Sequence, residues 1–293
     1  MRLLSIAVGI ATRGRPAVLA ETIAELGRQT RPADAIYVCH VTDDDVGDLP
    51  SRRPDIVFLK AEAGLPRQRN AILDAAAAHD VVLFLDDDFL AAPAFLEVLE
   101  AVMNARPECV VATGTVIADG AKGPGLTVEE GRAILAADTA PPDPRAAEPH
   151  FNGYGCNMAF KMAPVRNHLV RVDEELPLYA WYEDIDVSRR LGAYGSILRL
   201  AGARGVHLGV KSARTPGLRL GYSQVVNPIY LARKGSFPWS HAVPSAARHC
   251  LINLVRSVAP EKHVDRFGRF RGNMLGLWDL VRGRAHPKRI LEL

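Results

Sequence analysis

A chain of 293 residues that is 48% hydrophobic and 24% charged is long and apolar enough to bury a large core, which sets aside intrinsic disorder and small disulfide-stapled scaffolds. Its four cysteines, Cys39, Cys109, Cys156 and Cys250, show no CxxC spacing, so neither a zinc knuckle nor a disulfide framework is expected, and a reducing cytoplasm fits. The net charge of +3 hides a division: residues 223–293 hold 12 Lys/Arg against 4 Asp/Glu, and the preceding residues 24 against 29, so a basic C-terminal segment follows a mildly acidic body.

The opening apolar run is too short for a membrane span and lacks a leader-cleavage pattern, so Leu4–Ile10 is expected as a first strand. Pro16–Gln29 places Val18, Leu19, Ile23 and Leu26 on one helical face. Ala35–Val41 and Asp55–Lys60 are expected strands, Pro66–Ala78 a helix, Val81–Leu85 a central buried strand, Pro93–Asn104 a helix and Val110–Ile117 a strand. Such βα alternation predicts an α/β fold with a single, mainly parallel, Rossmann-like sheet flanked by helices. Asp119–Pro149, rich in Gly, Pro and Ala, is expected as a long connection with one short helix near Val128–Ala136. Regular structure resumes at Met158–Val165, Ile185–Gly192 is expected helical, and Ser196–Leu200 with Ala203–His207 forms one strand or two. Helices dominate from Ser223, where Phe267, Phe270, Met274, Leu277, Trp278 and Val281 fall three and four apart on one stripe. No stretch reaches transmembrane length.

Three local patterns carry chemistry. The buried run from Val81 ends in Asp86-Asp87-Asp88, at the carboxyl edge where open α/β sheets bind ligands. Adjacent acids repel unless a cation or donors compensate, and Asp86 with Asp88 suits a hard divalent cation, Mg2+ or Mn2+, shared with a diphosphate. The alternative is an acidic turn capping the next helix, a role that needs only one such residue. Second, Trp181-Tyr-Glu183-Asp184-Ile-Asp186 gathers acids beside aromatics before a helical run. This suits a general base whose pKa is raised by burial and like charge, or simply the acid enrichment that helix N-termini favour. Third, His207 ends an apolar strand, either as a structural histidine or as a further ligand to the same metal.

Taken in order, these motifs resemble the family 2 glycosyltransferases with the GT-A fold. Thr12-Arg13-Gly-Arg15-Pro16 is similar to the turn after the family's first strand, which implies that Thr12, Arg13 and Arg15 face a nucleotide-sugar. Gly64-Leu-Pro-Arg67-Gln-Arg69-Asn70 is similar to the family's Arg-Asn helix start and brings in Arg69. Asp86-Asp87-Asp88 matches the Asp-x-Asp element, which implies Asp86 and Asp87 toward the donor and Asp88, with Asp86 and His207, on the metal. Gly155-Cys156-Asn157 resembles the segment lining the acceptor region, and Glu183-Asp184-x-Asp186-x-x-x-Arg190-Leu191 the acceptor motif. These imply Asp184 as base with Asn157, Trp181 and Glu183 at the acceptor. The family's Asp pair after the second strand is missing: Cys39 and His40 stand there, and Asp43, Asp44 and Asp45 follow, leaving Asp43 as the nucleotide-binding candidate.

The resemblance implies a catalytic domain over 1–222, with a nucleotide-sugar half of about 1–118 and an acceptor half of about 150–222, and a basic helical region over 223–293. It implies an inverting, metal-dependent transfer of one hexosyl or deoxyhexosyl unit from a nucleotide-diphosphate sugar to a glycan or lipid-linked acceptor. The synthases' Gln-x-x-Arg-Trp signature is absent after His207. Tyr222-Ser-Gln-Val-Val-Asn227-Pro-Ile-Tyr230 is similar to a segment of rhamnosyltransferase-like members that build bacterial surface polysaccharides. That similarity points to a lipid-linked acceptor, while the basic excess of residues 223–293 with its apolar stripe fits either peripheral contact with the inner face of a membrane or a stripe packed against the catalytic domain with its charges solvated; no nucleic acid is expected. The rival readings are a nucleotidyltransferase, for which Thr12–Arg15 is a weak version of the expected Gly-rich loop, and a silent sugar-nucleotide or polysaccharide binder that dispenses with Asp184.

Overall fold

The computed structural model describes residues 3–141, 143–211, 215–262 and 264–293. Contacts divide the chain into two compact units, one of Met1–Ala63, Arg67–Arg171 and Arg190–Ala213, the other of Gly64–Pro66, Val172–Arg189 and Arg214–Leu293. The elements in chain order are β1 (Ile6–Ala11), α1 (Pro16–Leu26), β2 (Ala35–His40), α2 (Leu49–Arg52), β3 (Val57–Lys60), α3 (Leu65–Ala75), β4 (Val81–Asp86), β5 (Phe89–Ala91), α4 (Phe95–Ala105), β6 (Cys109–Asp119), α5 (Val128–Ala137), β7 (Ala147–Pro149), β8 (Asn157–Lys161), α6 (Met162–Asn167), α7 (Glu183–Leu191), β9 (Ser196–His207), α8 (Gly217–Lys234), α9 (Trp239–Arg256) and α10 (Arg266–Val281).

All the strands lie in the first unit and form one mixed α/β sheet in the order β3-β2-β1-β4-β8-β6-β9-β5, with β7 paired to β9. The pairs β3–β2, β2–β1 and β1–β4 are parallel, as the opening βα alternation predicts. Beyond β4 the direction changes: β8 lies antiparallel between β4 and β6, β6 and β9 are parallel, and β5 and β7 run antiparallel to β9. An apolar run such as Met158-Ala-Phe160 is equally at home in either direction, so its sense is set by how the preceding loop returns the chain, not by its residues. The core between sheet and helices takes Leu19, Ile23 and Leu26 from α1 and Phe95, Leu96 and Leu99 from α4. Phe89 and Phe95 meet edge to face at 6.0 Å.

The connection after β6 is more ordered than its composition predicts. α5 begins with a capping box between Thr127 and Glu130, and its Arg132 bonds Glu25 at 2.6 Å and Glu21 at 2.7 Å on α1. Arg204 of β9 holds Asp138 at 2.5 Å at the other end of α5. β7 then pairs with β9. Ser196–His207 is one strand, kept continuous past irregular register shifts against β6.

In the second unit, α8 and α10 pack backbone to backbone. A Cβ on Gly221 would lie 2.0 Å from Arg269 O, and one on Gly272 2.1 Å from Leu218 O, so the close approach requires glycine at both. A buried amide layer joins the three long helices: Asn253 Nδ2 donates to Gln224 and to Asn273, both at 2.9 Å. Asp279, fully buried, is held by Arg284, Arg289 and Tyr222. The stripe on α10 forms at the expected helical spacing, yet Phe267, Met274, Leu277, Trp278 and Val281 are all exposed. The four cysteines are free thiols. Among the described residues, no helix is long and apolar enough to cross a membrane.

Candidate active site

Sheet register builds the site in the first unit. β4 delivers Asp86 to its carboxyl edge, level with Ala11 of β1. The chain turns through Asp87 and Asp88 into β5, whose Phe89 is paired with His207 of β9. On its other side His207 is paired with Asp119, the last residue of β6. His207 therefore sits between two strand ends that each present a carboxylate, although Asp88 and Asp119 are far apart in sequence.

The three consecutive aspartates face different ways. Asp87 is fully buried; Thr12 donates to its Oδ2 at 2.7 Å and Arg15 reaches its Oδ1 at 2.7 Å. Burial, reinforced by Asp88 and Asp86, pushes the Asp87 carboxyl up to about 7 against the pull of Arg15 and Thr12. Asp88 opposes burial with stronger partners: His207, Arg15 at 3.3 Å and the Val210 N–H at 2.8 Å hold its carboxyl below the usual range. Asp86 keeps 33% of its side chain exposed and lies 3.3 Å from the buried guanidinium of Arg69. Burial of its carboxyl nevertheless dominates and raises its pKa. Arg69 in turn donates to Gly155 O at 2.7 Å and stacks over Phe84.

Asp86, Asp88 and His207 each offer one ligand atom, and the three atoms lie within 4.8 Å of one another. His207 Nδ1 bonds Asp119 at 2.9 Å, which leaves Nε2 facing Asp88 at 3.4 Å and Asp86 at 3.8 Å. Asp119 also accepts from the Tyr154 hydroxyl at 3.0 Å and pairs with Lys122 at 3.3 Å. Burial alone would lower the His207 pKa, but its bonds to Asp119 and Asp88 and the charge of Asp86 push it up to about 10. The cluster thus draws positive charge to its centre, a demand that a divalent cation meets with the same donors. Two carboxylates and an imidazole with its second nitrogen fixed by an acid are a fitting set for Mn2+ or Mg2+.

Asp119 carries no local sequence signal, because only the register of β6 on β9 brings it to His207. The one available hint was that it closes a strand with an acid, as Asp86 does. If Asp119 orients the imidazole, Asp119→Asn is expected to weaken Mn2+ binding by about 10- to 100-fold with the fold intact. Calorimetric titration of Mn2+ into both proteins checks this, and equal affinities would exclude the role.

The other expected residues fall as follows. Thr12 is buried on Asp87, and its carbonyl accepts from Gln68 at 2.9 Å. Arg13 is exposed in the same turn. Asp43 is exposed and paired with Lys60 at 3.0 Å. The acid of that run that turns inward is Asp45, which accepts from the N–H groups of Gly14, Val41 and Thr42 and ties the β2 loop to the β1 turn. Asn157 is fully buried in β8, its Oδ1 accepting from Thr113 at 2.8 Å and the Gly114 N–H at 2.6 Å.

Trp181, Glu183 and Asp184 belong to the second unit. Leu178, Ala180 and Tyr182 all have positive φ, 59°, 52° and 74°, a run of left-handed backbone that non-glycine residues adopt only when the surroundings impose it. It leads straight into the first turn of α7, which holds Glu183, Asp184 and Asp186. Trp181 packs on Tyr182 and His249, and its carbonyl accepts from Asn227 at 2.9 Å. Glu183 is buried, Asp184 half-buried. Asp186 is fully buried on Lys234 at 2.8 Å and Ser236 at 2.6 Å, fixing this turn to the end of α8.

The family model described as glycosyl transferase family 2 matches residues 7–165, from β1 through both halves of the aspartate turn into α6. A comparison with curated protein sequences gives no match. Among solved structures, S. aureus TarS aligns over 76% of this chain and 40% of its own, at 15% identity and a TM-score of 0.52. GalNAc-T7 with UDP, GalNAc and Mn2+ aligns over 99% of this chain and 57% of its own, at 14% identity and a TM-score of 0.60. The mannosyltransferase PcManGT from Pyrobaculum calidifontis, in complex with GDP-Man and Mn2+, aligns over 95% of this chain and 88% of its own, at 13% identity and a TM-score of 0.56. At such identities the likeness is one of fold.

Proposed function

The chain belongs to glycosyl transferase family 2, and from that premise we propose that it moves one hexosyl or deoxyhexosyl unit from a nucleotide-diphosphate sugar to an acceptor hydroxyl, with inversion. The observation that carries the proposal is the convergence of Asp86, Asp88 and His207 within 4.8 Å at the carboxyl edge of the sheet. GalNAc-T7 and PcManGT, solved with a nucleotide or nucleotide sugar and Mn2+, support a donor and a cation of that kind.

Asp86, Asp88 and His207 hold the cation, which supplies charge neutralisation for the departing diphosphate. Thr12 and Arg15 fix the aspartate turn through Asp87, so that Asp88 is aimed before any ligand arrives. Arg13 and Arg69 place positive charge for the phosphates, and Asp86 faces the donor. Asp184 takes the proton of the acceptor hydroxyl, Trp181 and Glu183 line the acceptor's place, and Asp186 with Lys234 keeps the turn that carries Asp184. A single displacement with the base on the acceptor inverts the anomeric carbon.

The acceptor is a glycan or lipid-linked glycan of bacterial surface polysaccharide or glycolipid synthesis, met at the cytoplasmic side of a membrane through residues 223–293. The test is release of nucleoside diphosphate from a panel of nucleotide sugars with and without chelator. Turnover that starts with metal and stops with chelator supports the reading, and none with any donor and metal counts against it.

The imidazole in the donor set also orders the metals. A nitrogen ligand favours Mn2+ over Mg2+, whose preference is for oxygen. Half-saturation of donor turnover is therefore expected at a concentration at least about tenfold lower for Mn2+ than for Mg2+; the reverse order would remove His207 from the ligand set.

A further inference from the structure

The C-terminal helices carry a groove of about 560 Å³ lined only by apolar side chains or Cys250, among them Ile229 of α8, Leu251 and Leu254 of α9, and Phe270 and Leu277 of α10. Its rim continues outward over Val255 and Val281, which are 63% and 82% exposed. A patch of this kind marks an interaction surface in a soluble domain.

Charge identifies the occupant. Between Trp239 and Arg282 the chain has seven Lys/Arg and three Asp/Glu. Each of the three acids is engaged: Asp279 is buried under Arg284 and Arg289, Glu261 is paired with Arg256 and Arg266, and Asp265 caps α10 at Gly268. Arg248, Lys262, Arg271 and Arg282 are exposed and, among the described residues, have no carboxylate partner. Their spacing places them beside the apolar rim: Arg248 is three residues before Leu251 and seven before Val255, and Arg271 and Arg282 flank Trp278, with Arg282 stacked 4.2 Å over its ring. An apolar strip bordered by unpaired arginines matches a surface whose interior is hydrocarbon and whose edge is anionic. A second copy meeting this face across a two-fold axis would set arginines against arginines.

We propose that the α9–α10 face of the C-terminal helices seats on an anionic lipid surface, with the groove taking hydrocarbon and the arginines taking headgroup phosphates. This deepens the proposed membrane-side acceptor and rests on that reading only for the purpose the contact serves. Flotation of the full chain with vesicles of phosphatidylcholine alone, or of phosphatidylcholine with phosphatidylglycerol, tests it. Binding is expected only to the anionic vesicles and is expected to weaken with salt. Arg248→Glu with Arg271→Glu, and separately Leu251→Ser with Leu277→Ser, should each lower it at least about tenfold. All four side chains are exposed, so nucleoside diphosphate release without vesicles should be unchanged in both variants.

Three results would overturn the proposal: negligible or equal binding to the two vesicles, wild-type binding by both variants, or a solution dimer that the leucine variant dissolves. Vesicle binding by a chain that turns over no nucleotide sugar would sink the transfer reading and leave this one standing.

Discussion

Asp88→Asn is expected to lower metal-dependent turnover by about 10³-fold or more while the chain stays folded. The substitution keeps the size and shape of the side chain beside Arg15 and the Val210 N–H, but it removes the carboxylate charge. Asp87, still paired with Arg15 and Thr12, keeps the turn in place. What is lost is the acid that, with Asp86 and His207, gathers positive charge at the strand edge. A diphosphate leaving group in a carboxylate-lined site is repelled without a bridging cation. Initial rates over a Mn2+ series, with thermal melts of both proteins, check the expectation. Undiminished turnover by the variant, or by the wild type in excess chelator, would remove the metal role of Asp88 and His207 together.

Asp184→Asn is expected to cost about 10²-fold or more in transfer while donor binding survives. The amide retains the shape of a half-buried side chain whose Oδ1 accepts from the Ile185 N–H at 2.9 Å, so the first turn of α7 persists, but it cannot take a proton. Glu183 is buried, whereas Asp184 keeps access to solvent, which favours Asp184 for meeting an acceptor hydroxyl. The discriminating pair is Asp184→Asn against Glu183→Gln, each assayed for donor binding and for transfer. A dead Glu183→Gln beside an active Asp184→Asn would reverse the assignment.

Much of the first unit was legible because its signals are local. Val81–Asp86 is an uninterrupted apolar run ending in acids, and such a run reads as a buried strand in any context. Pro16 opens α1 and the periodicity of Leu19 and Ile23 carries it. What was not legible depends on pairing across the sheet. The antiparallel insertion of β8 leaves no mark on Asn157–Lys161, and Asp119 reaches His207 only because β6 and β9 come into register at their ends. That Asp45 rather than Asp43 turns inward had a usable cue, since Thr42-x-x-Asp45 is a capping box around a tight turn, which spends Asp45 on backbone N–H groups. On α10 the period gave the helix correctly but not the side to which its stripe points, because burial depends on which neighbours arrive.

On the proposed reading, Asp86, Asp88 and His207 bind a divalent cation together with a nucleoside diphosphate. Thermal shift of the full chain against UDP, GDP, CDP, ADP and dTDP, each with Mn2+ or with chelator, tests it most directly. The expected result is a rise in Tm with at least one diphosphate that requires Mn2+ and disappears in Asp88→Asn; a shift equally large in chelator, or retained in full by Asp88→Asn, would contradict it.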